Sequence, residues 1–442
     1  MPASALDSAI YRDLFGDPEI GKLFSDTAEI RAMLLVEGAL AEAQGKAGLI
    51  PETAAAHIRR ASMEVQVDPA ALTSETGENG VPVPGLVSAF RKAMGAPEHG
   101  QYVHWGATSQ DICDTALTLR LRQVLSICRA RLVAALHSLA TLAEEHADTP
   151  MAARTYGQVA VPTSFGAVAA SWGTPLLRAV ERLEEIEPRL LCVSLSGAAG
   201  TLSVMGDKGP EIRAALARSL SLNDPGGSWH STRDRVAELA AWATLTATSL
   251  GKMGEDLLLL AQSGIGEVTL GKGGASSTMP QKKNPVGPSV VVALARHIAG
   301  LNATLQDAGL HRQQRDGAAW FTEWLILPGL CIALGRALSL GQELAETISP
   351  VPEAMLRNLD DGTGLIHAEA LTFALAATMP RPEAAQRVKA LATEARTTGT
   401  HLASLAERDF PGSDWRSTLS PQAQLGQAPA EARAFAAAAK AI

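Results

Sequence analysis

From Thr115 to Ala147 the chain contains neither proline nor glycine, and Leu121, Val124, Leu125, Leu132, Leu136, Leu139 and Leu142 recur at helical spacing. A run of roughly 30 residues in this pattern makes a helix about 45 Å long at 1.5 Å per residue. Comparable patterns extend from about Ser164 to Ile186, Asp234 to Gln262, Pro288 to Leu310 and Glu323 to Ile348. Five helices of that length are expected to pack side by side as a central bundle. Their apolar residues lie on more than one side, so one face has its own subunit to cover it and the other calls for a partner. An obligate homo-oligomer is the expectation, set against a monomer with a thick core.

The flanking segments are shorter. Helices over Thr27–Gly48, with Ser25 or Asp26 to cap, over Pro51–Val65 and over Leu86–Met94 build a small N-terminal domain that closes with the loop HGQYVHWGATSQDICD. Beyond Pro350 the segments shorten again, the turn MPRPEAAQ interrupts them, and the Ala-rich tail is helical in composition. The expected architecture is all-α, with helical domains over residues 1–111, 112–349 and 350–442. Only 4% aromatic residues within 46% hydrophobic ones fits helical aliphatic packing better than β structure.

A net charge of -8 offers no basic face for nucleic acid, and no uninterrupted apolar run of about 18 residues suggests a membrane span. Cys113, Cys128, Cys192 and Cys331 stand far apart without ligand spacing and read as buried free thiols. The N-terminus has no basic region followed by an apolar core, so the cytoplasm is the expected compartment.

Against this helical background the segment Gly271–Pro288, GKGGASSTMPQKKNPVGP, stands apart. Its glycines and prolines forbid a regular helix while polar side chains crowd together, which is the pattern of a loop carrying chemistry. Gly266–Lys272 fits the GxxxxGK frame of a phosphate loop, but Gly273 replaces the required Ser or Thr and no strand pattern precedes it. A flexible linker is the other bland reading, and the prolines beside Met279 and Asn284 argue for an ordered turn instead.

Three polar islands interrupt the bundle at helix ends. His104–Asp111 (HWGATSQD) puts hydroxyls, an amide and free backbone N–H groups at a helix N-terminus, which suits a carboxylate and equally suits a plain N-cap by Ser109 or Asp111. Arg154, Thr155, Tyr156, Gly157 and Gln158 form a weak anion-site signal. The third island is Trp229–Arg235 (WHSTRDR), with a related patch at His311–Arg315; Asp234 is expected simply to pair with an arginine. No HExxH or comparable metal spacing occurs, and no GxSxG elbow supports a hydrolase.

SSTMPQKKNP resembles the signature loop of the fumarase/aspartase superfamily, GSSxMPxKxNP. HWGATSQD, SGAAG (Ser196–Gly200), TRDR (Thr232–Arg235) and the three-domain helical layout support the resemblance over essentially the whole chain. WHSTRDR, GIGEV, WFTEWLILP (Trp320–Pro328) and NLDDGTGLIHAEA (Asn358–Ala370) are most similar to the cycloisomerase branch, which lactonises 3-carboxy-cis,cis-muconate.

That resemblance implies a homotetramer with each active site assembled from three subunits, a small polycarboxylate substrate and chemistry without a cofactor or metal. Ser276 is implied as the proton-transfer group, on a loop that closes as a lid. Lys282 and Asn284 are implied to hold a substrate carboxylate beside Ser277 and Met279, and His104, Thr108, Ser109 and Gln110 to bind others. Arg154, Gln158, Arg233, Arg235 and Arg315 complete the implied substrate-binding set.

Two departures matter. Ala275 stands where the superfamily has glycine, and Val159 stands where many relatives carry an acid/base histidine after the glutamine. Valine transfers no proton. Lactonisation uses the substrate's own carboxylate as nucleophile, so the loss fits a cycloisomerase better than an amine lyase. Adenylosuccinate lyase-type C–N cleavage is the nearest enzymatic alternative, and a catalytically silent structural relative is the non-enzymatic one.

Overall fold

The computed structural model describes residues 4–271, 273–275, 279 and 282–442, and helices dominate it. Ser25 accepts from Ala28 N at 3.3 Å and acidic Asp26 and Glu29 occupy the first turn, so α1 (Asp26–Lys46) begins where its end charges favour it. α2 (Glu52–Glu64) packs on α1 through small residues: a Cβ on Gly45 would lie 2.4 Å from the Cβ of Ala55. α3 (Val83–Met94) stops at Gly95, whose φ of 62° supplies a left-handed cap.

The long helices follow as α4 (Ser109–Glu145), α5 (Phe165–Leu190), α7 (Asp234–Leu260), α8 (Val286–Asp307) and α9 (Gly317–Thr347), with the shorter α6 (Gly209–Leu220) between α5 and α7. The all-α expectation holds. Two starts fall earlier than the apolar pattern suggested. α4 begins at Ser109, so Gln110 and Asp111 lie in its first turn. α9 begins at Gly317, where the Asp316 carboxylate accepts from Ala318 N at 3.0 Å and Ala319 N at 3.4 Å. In both cases the polar cap precedes the first periodic leucine.

Residues 150–164 form a hairpin that composition did not suggest. β1 (Pro150–Thr155) pairs antiparallel with β2 (Gln158–Ser164) around Tyr156 and Gly157, whose φ angles of 52° and 74° make a two-residue turn of the kind that matches strand twist. Two further pairings join two-residue strands: β3 (Val268–Thr269) pairs with β6 (Ser349–Pro350), and β4 (Gly274–Ala275) with β5 (Lys283–Asn284).

Contacts divide the chain into two compact units, residues 1–130, 179–248 and 293–338, and residues 131–178, 249–292 and 339–442. In the first, one core joins α1, α2, α3 and the start of α4 with Val193, Leu195, Ile212 and Leu216. In the second, a separate cluster of Leu371, Val388, Leu391, Leu402 and Trp415 holds the short C-terminal helices. Each fully buried leucine or valine contributes about 1.5–3 kcal/mol. The four cysteines are buried and free. By length and average hydropathy α4, α8 and α9 are apolar enough to cross a membrane, with 44%, 39% and 61% of their most apolar windows buried.

Candidate active site

Two buried polar side chains on α1 fix the loop ahead of α4. Glu37, 1% exposed, meets His104 Nδ1 at 2.7 Å, and Gln44 Nε2 donates to Trp105 O at 2.6 Å. His104 itself has φ 63°, a left-handed conformation that a non-glycine residue adopts at a cost. Burial alone would lower its pKa, but the Glu37 charge and hydrogen bond outweigh burial and hold it above the ordinary histidine value of 6.5.

Asp111 ties the first and third polar islands to the SGAAG segment. Its carboxylate accepts from Thr108 N at 3.0 Å, closing a capping-box contact at the start of α4, and from Ser196 N at 2.8 Å and Gly197 N at 2.9 Å. His230 Nε2 lies 2.8 Å away on the same carboxylate. Gly197 is required twice over: its φ is 72°, and a Cβ there would stand 3.3 Å from Gly106 O. Gln110, fully buried, donates from Nε2 to His230 O at 2.9 Å and accepts at Oε1 from Arg315 Nε at 2.8 Å. Arg315 also reaches Ala198 O at 3.2 Å while its residue remains exposed. The result is a helix N-terminus with half-buried Thr108 and Ser109 beside a guanidinium fixed in place, an arrangement suited to an anion.

Arg233 plays a different part. Its guanidinium is 1% exposed and bonds Asp114 at 2.7 and 3.1 Å and Glu323 at 2.7 and 2.6 Å, with Trp229 stacked at 4.6 Å. Burial would lower its pKa, but these two carboxylates drive it far upward, and its donors are committed to them. Arg235 lies half-buried with its guanidinium 4.8 Å from the same indole. His311 lies 4.0 Å from Glu323, and burial and the Arg233 charge lower its pKa.

The remaining predicted residues belong to the second unit. Arg154 makes a two-pronged bond to Glu267 at 2.9 and 2.6 Å; that carboxylate is fully buried and also accepts from Asn358 Nδ2 at 2.9 Å. Gln158 is exposed on β2, and Val159, 45% exposed, sits opposite Arg154 in the hairpin register. At the signature loop, Gly274 pairs with Asn284 and Ala275 with Lys283. Gly271 lies close enough to Thr347 that a Cβ would come within 2.6 Å of the threonine Cβ. Lys282 and Met279 are exposed and Asn284 half-buried. Ser276 and Ser277, and with them the lid expected of this loop, lie outside the described residues.

Residues 16–300 match a family model described as Lyase. The 3-carboxy-cis,cis-muconate cycloisomerase of Pseudomonas putida is 40% identical over 86% of this chain and 91% of its own. Trans-aconitate decarboxylase 1 of Mycosarcoma maydis is 36% identical over 86% of this chain and 78% of its own. The crystal structure of the 3-carboxy-cis,cis-muconate lactonizing enzyme from Pseudomonas putida superposes with a TM-score of 0.92 at 36% identity, covering 98% of this chain and 99% of that one. The family model spans well over half of the chain and these similarities run nearly end to end, so the protein belongs to the lyase family of the fumarase/aspartase superfamily and is an enzyme of it.

Proposed function

We propose that the enzyme converts 3-carboxy-cis,cis-muconate into 4-carboxymuconolactone. One substrate carboxylate forms a C–O bond to the diene, the π electrons move to the neighbouring carbon and are held by its carboxylate, and a proton then joins that carbon. Nothing leaves, so the reaction is an isomerisation. The observation that carries this reading is the anion cradle at the start of α4, with Arg315 fixed by Gln110 and Ala198, in a chain 40% identical to a cycloisomerase of that name. Ser276 is the proposed proton carrier, with Lys282 and Asn284 on a second carboxylate. The direct test is ultraviolet loss of 3-carboxymuconate beside turnover of adenylosuccinate and of trans-aconitate. Faster turnover of either competitor overturns the assignment.

Val159 supports the same reading, because its apolar, half-exposed side chain offers no proton opposite Arg154. Val159→His should leave kcat on the native substrate unchanged. A gain on the order of tenfold or more, the size of a general acid/base contribution, would show that the missing histidine limits the reaction.

His104 gives a pH signature. Its folded pKa lies above 6.5, so the imidazolium bound to Glu37 contributes stability that is fully present below pH 6.5 and disappears as pH rises through the folded value. The same charge favours a substrate carboxylate. KM should therefore be lowest on the acid side of that pKa and climb above it, and His104→Gln should flatten the climb. A KM rise that persists in His104→Gln would assign the titration to another group.

A homotetramer in the cytoplasm, with three helical domains per subunit, completes the proposal. It is supported by the family resemblance and by apolar side chains left bare on long helices: Leu325 and Phe321 on α9 are 81% and 39% exposed, and Leu259 on α7 is 57% exposed. Neighbouring subunits would cover these faces.

A further inference from the structure

A cavity of about 580 Å³ opens within the first unit, and none of the residues assigned to substrate is part of its lining. Most of its wall is apolar, including Ile30, Met33, Leu72, Leu117, Trp324 and Leu327. Arg120 also lines it, and its side chain is only 8% exposed. This guanidinium is poorly served: Nε donates to Ala116 O at 3.4 Å, Nη1 to Glu29 at 3.5 Å, and among the described residues Nη2 has no hydrogen bond. The Phe24 ring lies 5.6 Å from it. A charged group with five donors, only 8% exposed and given two long bonds, has donor capacity left for an acceptor.

The wall also decides the charge of what can enter. Asp26, Glu29, Asp114 and Glu323 line the same space, the last two gripping Arg233. A desolvated anion would meet those carboxylates, and a cation would meet Arg120. A polycarboxylate is therefore excluded, and an uncharged body with one acceptor atom fits both the apolar wall and the guanidinium. Cavities of this size hold molecules of about two fused rings or more.

We propose that this cavity is a second binding site, for a neutral aromatic molecule of at least two-ring size whose carbonyl oxygen accepts from Arg120. Its wall shares Asp114 and Glu323 with the buried Arg233 cluster, so occupancy touches the carboxylates that hold the WHSTRDR segment.

The experiment titrates the purified enzyme with the neutral naphthyl ketone 6-propionyl-2-(dimethylamino)naphthalene and follows its emission. Saturable, blue-shifted binding at one site per chain is expected. Thr76→Trp should fill the cavity and abolish it; Gly77→Phe is a second block, because a Cβ at Gly77 meets nothing within 4 Å. Arg120→Met should weaken binding by about tenfold or more, the worth of a hydrogen bond to a charged donor. Neither anionic 1-anilinonaphthalene-8-sulfonate nor cationic 2-(aminomethyl)naphthalene should displace the ketone. Absence of a saturable site in the wild type, displacement by either ion, or unchanged binding in a folded Thr76→Trp or Gly77→Phe variant overturns the proposal.

Discussion

Arg233→Met should cost the enzyme about 3–5 kcal/mol of stability, the usual penalty for stripping one partner from a buried ion cluster. Arg233 is, among the described residues, the single cation between Asp114 and Glu323, and all three side chains are 2% exposed or less. Methionine matches much of the arginine stem and can still lie on Trp229, so the substitution isolates the charge. Two carboxylates are then left facing each other out of water, and one must take up a proton or the helices that carry them must part. Burial already pushes the Glu323 pKa up against the pull of Arg233. Asp114 lies on α4 and Glu323 on α9, so the strain falls between two long helices and next to His311. Thermal unfolding should show a lower Tm for Arg233→Met and partial recovery in the triple variant with Asp114→Asn and Glu323→Gln. A variant that melts with the wild type, or a triple variant less stable than the single one, would mean that the cluster does not carry this energy.

The sequence made some of this legible and hid the rest for identifiable reasons. Long helices announced themselves because apolar spacing is a local property, and their interiors fall close to where the leucines predict. Their starts did not, since Asp111 and Asp316 act as caps several residues before the pattern begins. The hairpin at 150–164 was hidden by its turn, Tyr156-Gly157, which lacks the usual Asn-Gly or Asp-Gly signal. Among the arginines, sequence proximity to a motif could not separate Arg315, exposed and anchored, from Arg233 and Arg154, which are bound to the buried carboxylates Asp114, Glu323 and Glu267. Those carboxylates lie 90 to 119 positions away along the chain, beyond any local pattern. Glu37 and Gln44 offered a clue that sequence reading passed over: two polar residues seven apart on the apolar face of α1 need buried partners, and the loop at His104 and Trp105 provides them.

Ser276→Ala should lower kcat by about 10²- to 10⁴-fold, the range for losing a positioned proton-transfer group. The argument rests on what surrounds the residue in the chain. Ser276 follows directly on the strand Gly274–Ala275, whose partners Asn284 and Lys283 follow Lys282 on the returning side. The proposed proton carrier and the proposed carboxylate ligands are thus joined to the same short stem, so closing the loop on substrate would bring both into use together. Val159 provides no acid/base side chain at the position where many relatives carry one, which puts more of the proton chemistry on Ser276. Substrate affinity should survive the change, because the proposed anion cradle is built by Gln110, Arg315 and the start of α4. KM should consequently stay near the wild-type value in Ser276→Ala while kcat collapses, and Lys282→Met should do the reverse, raising KM more than it lowers kcat. Were Ser276→Ala to turn over 3-carboxymuconate at the wild-type rate, the proton must come from elsewhere; were neither variant to alter turnover of any substrate tested, the loop would have been retained for a purpose other than catalysis.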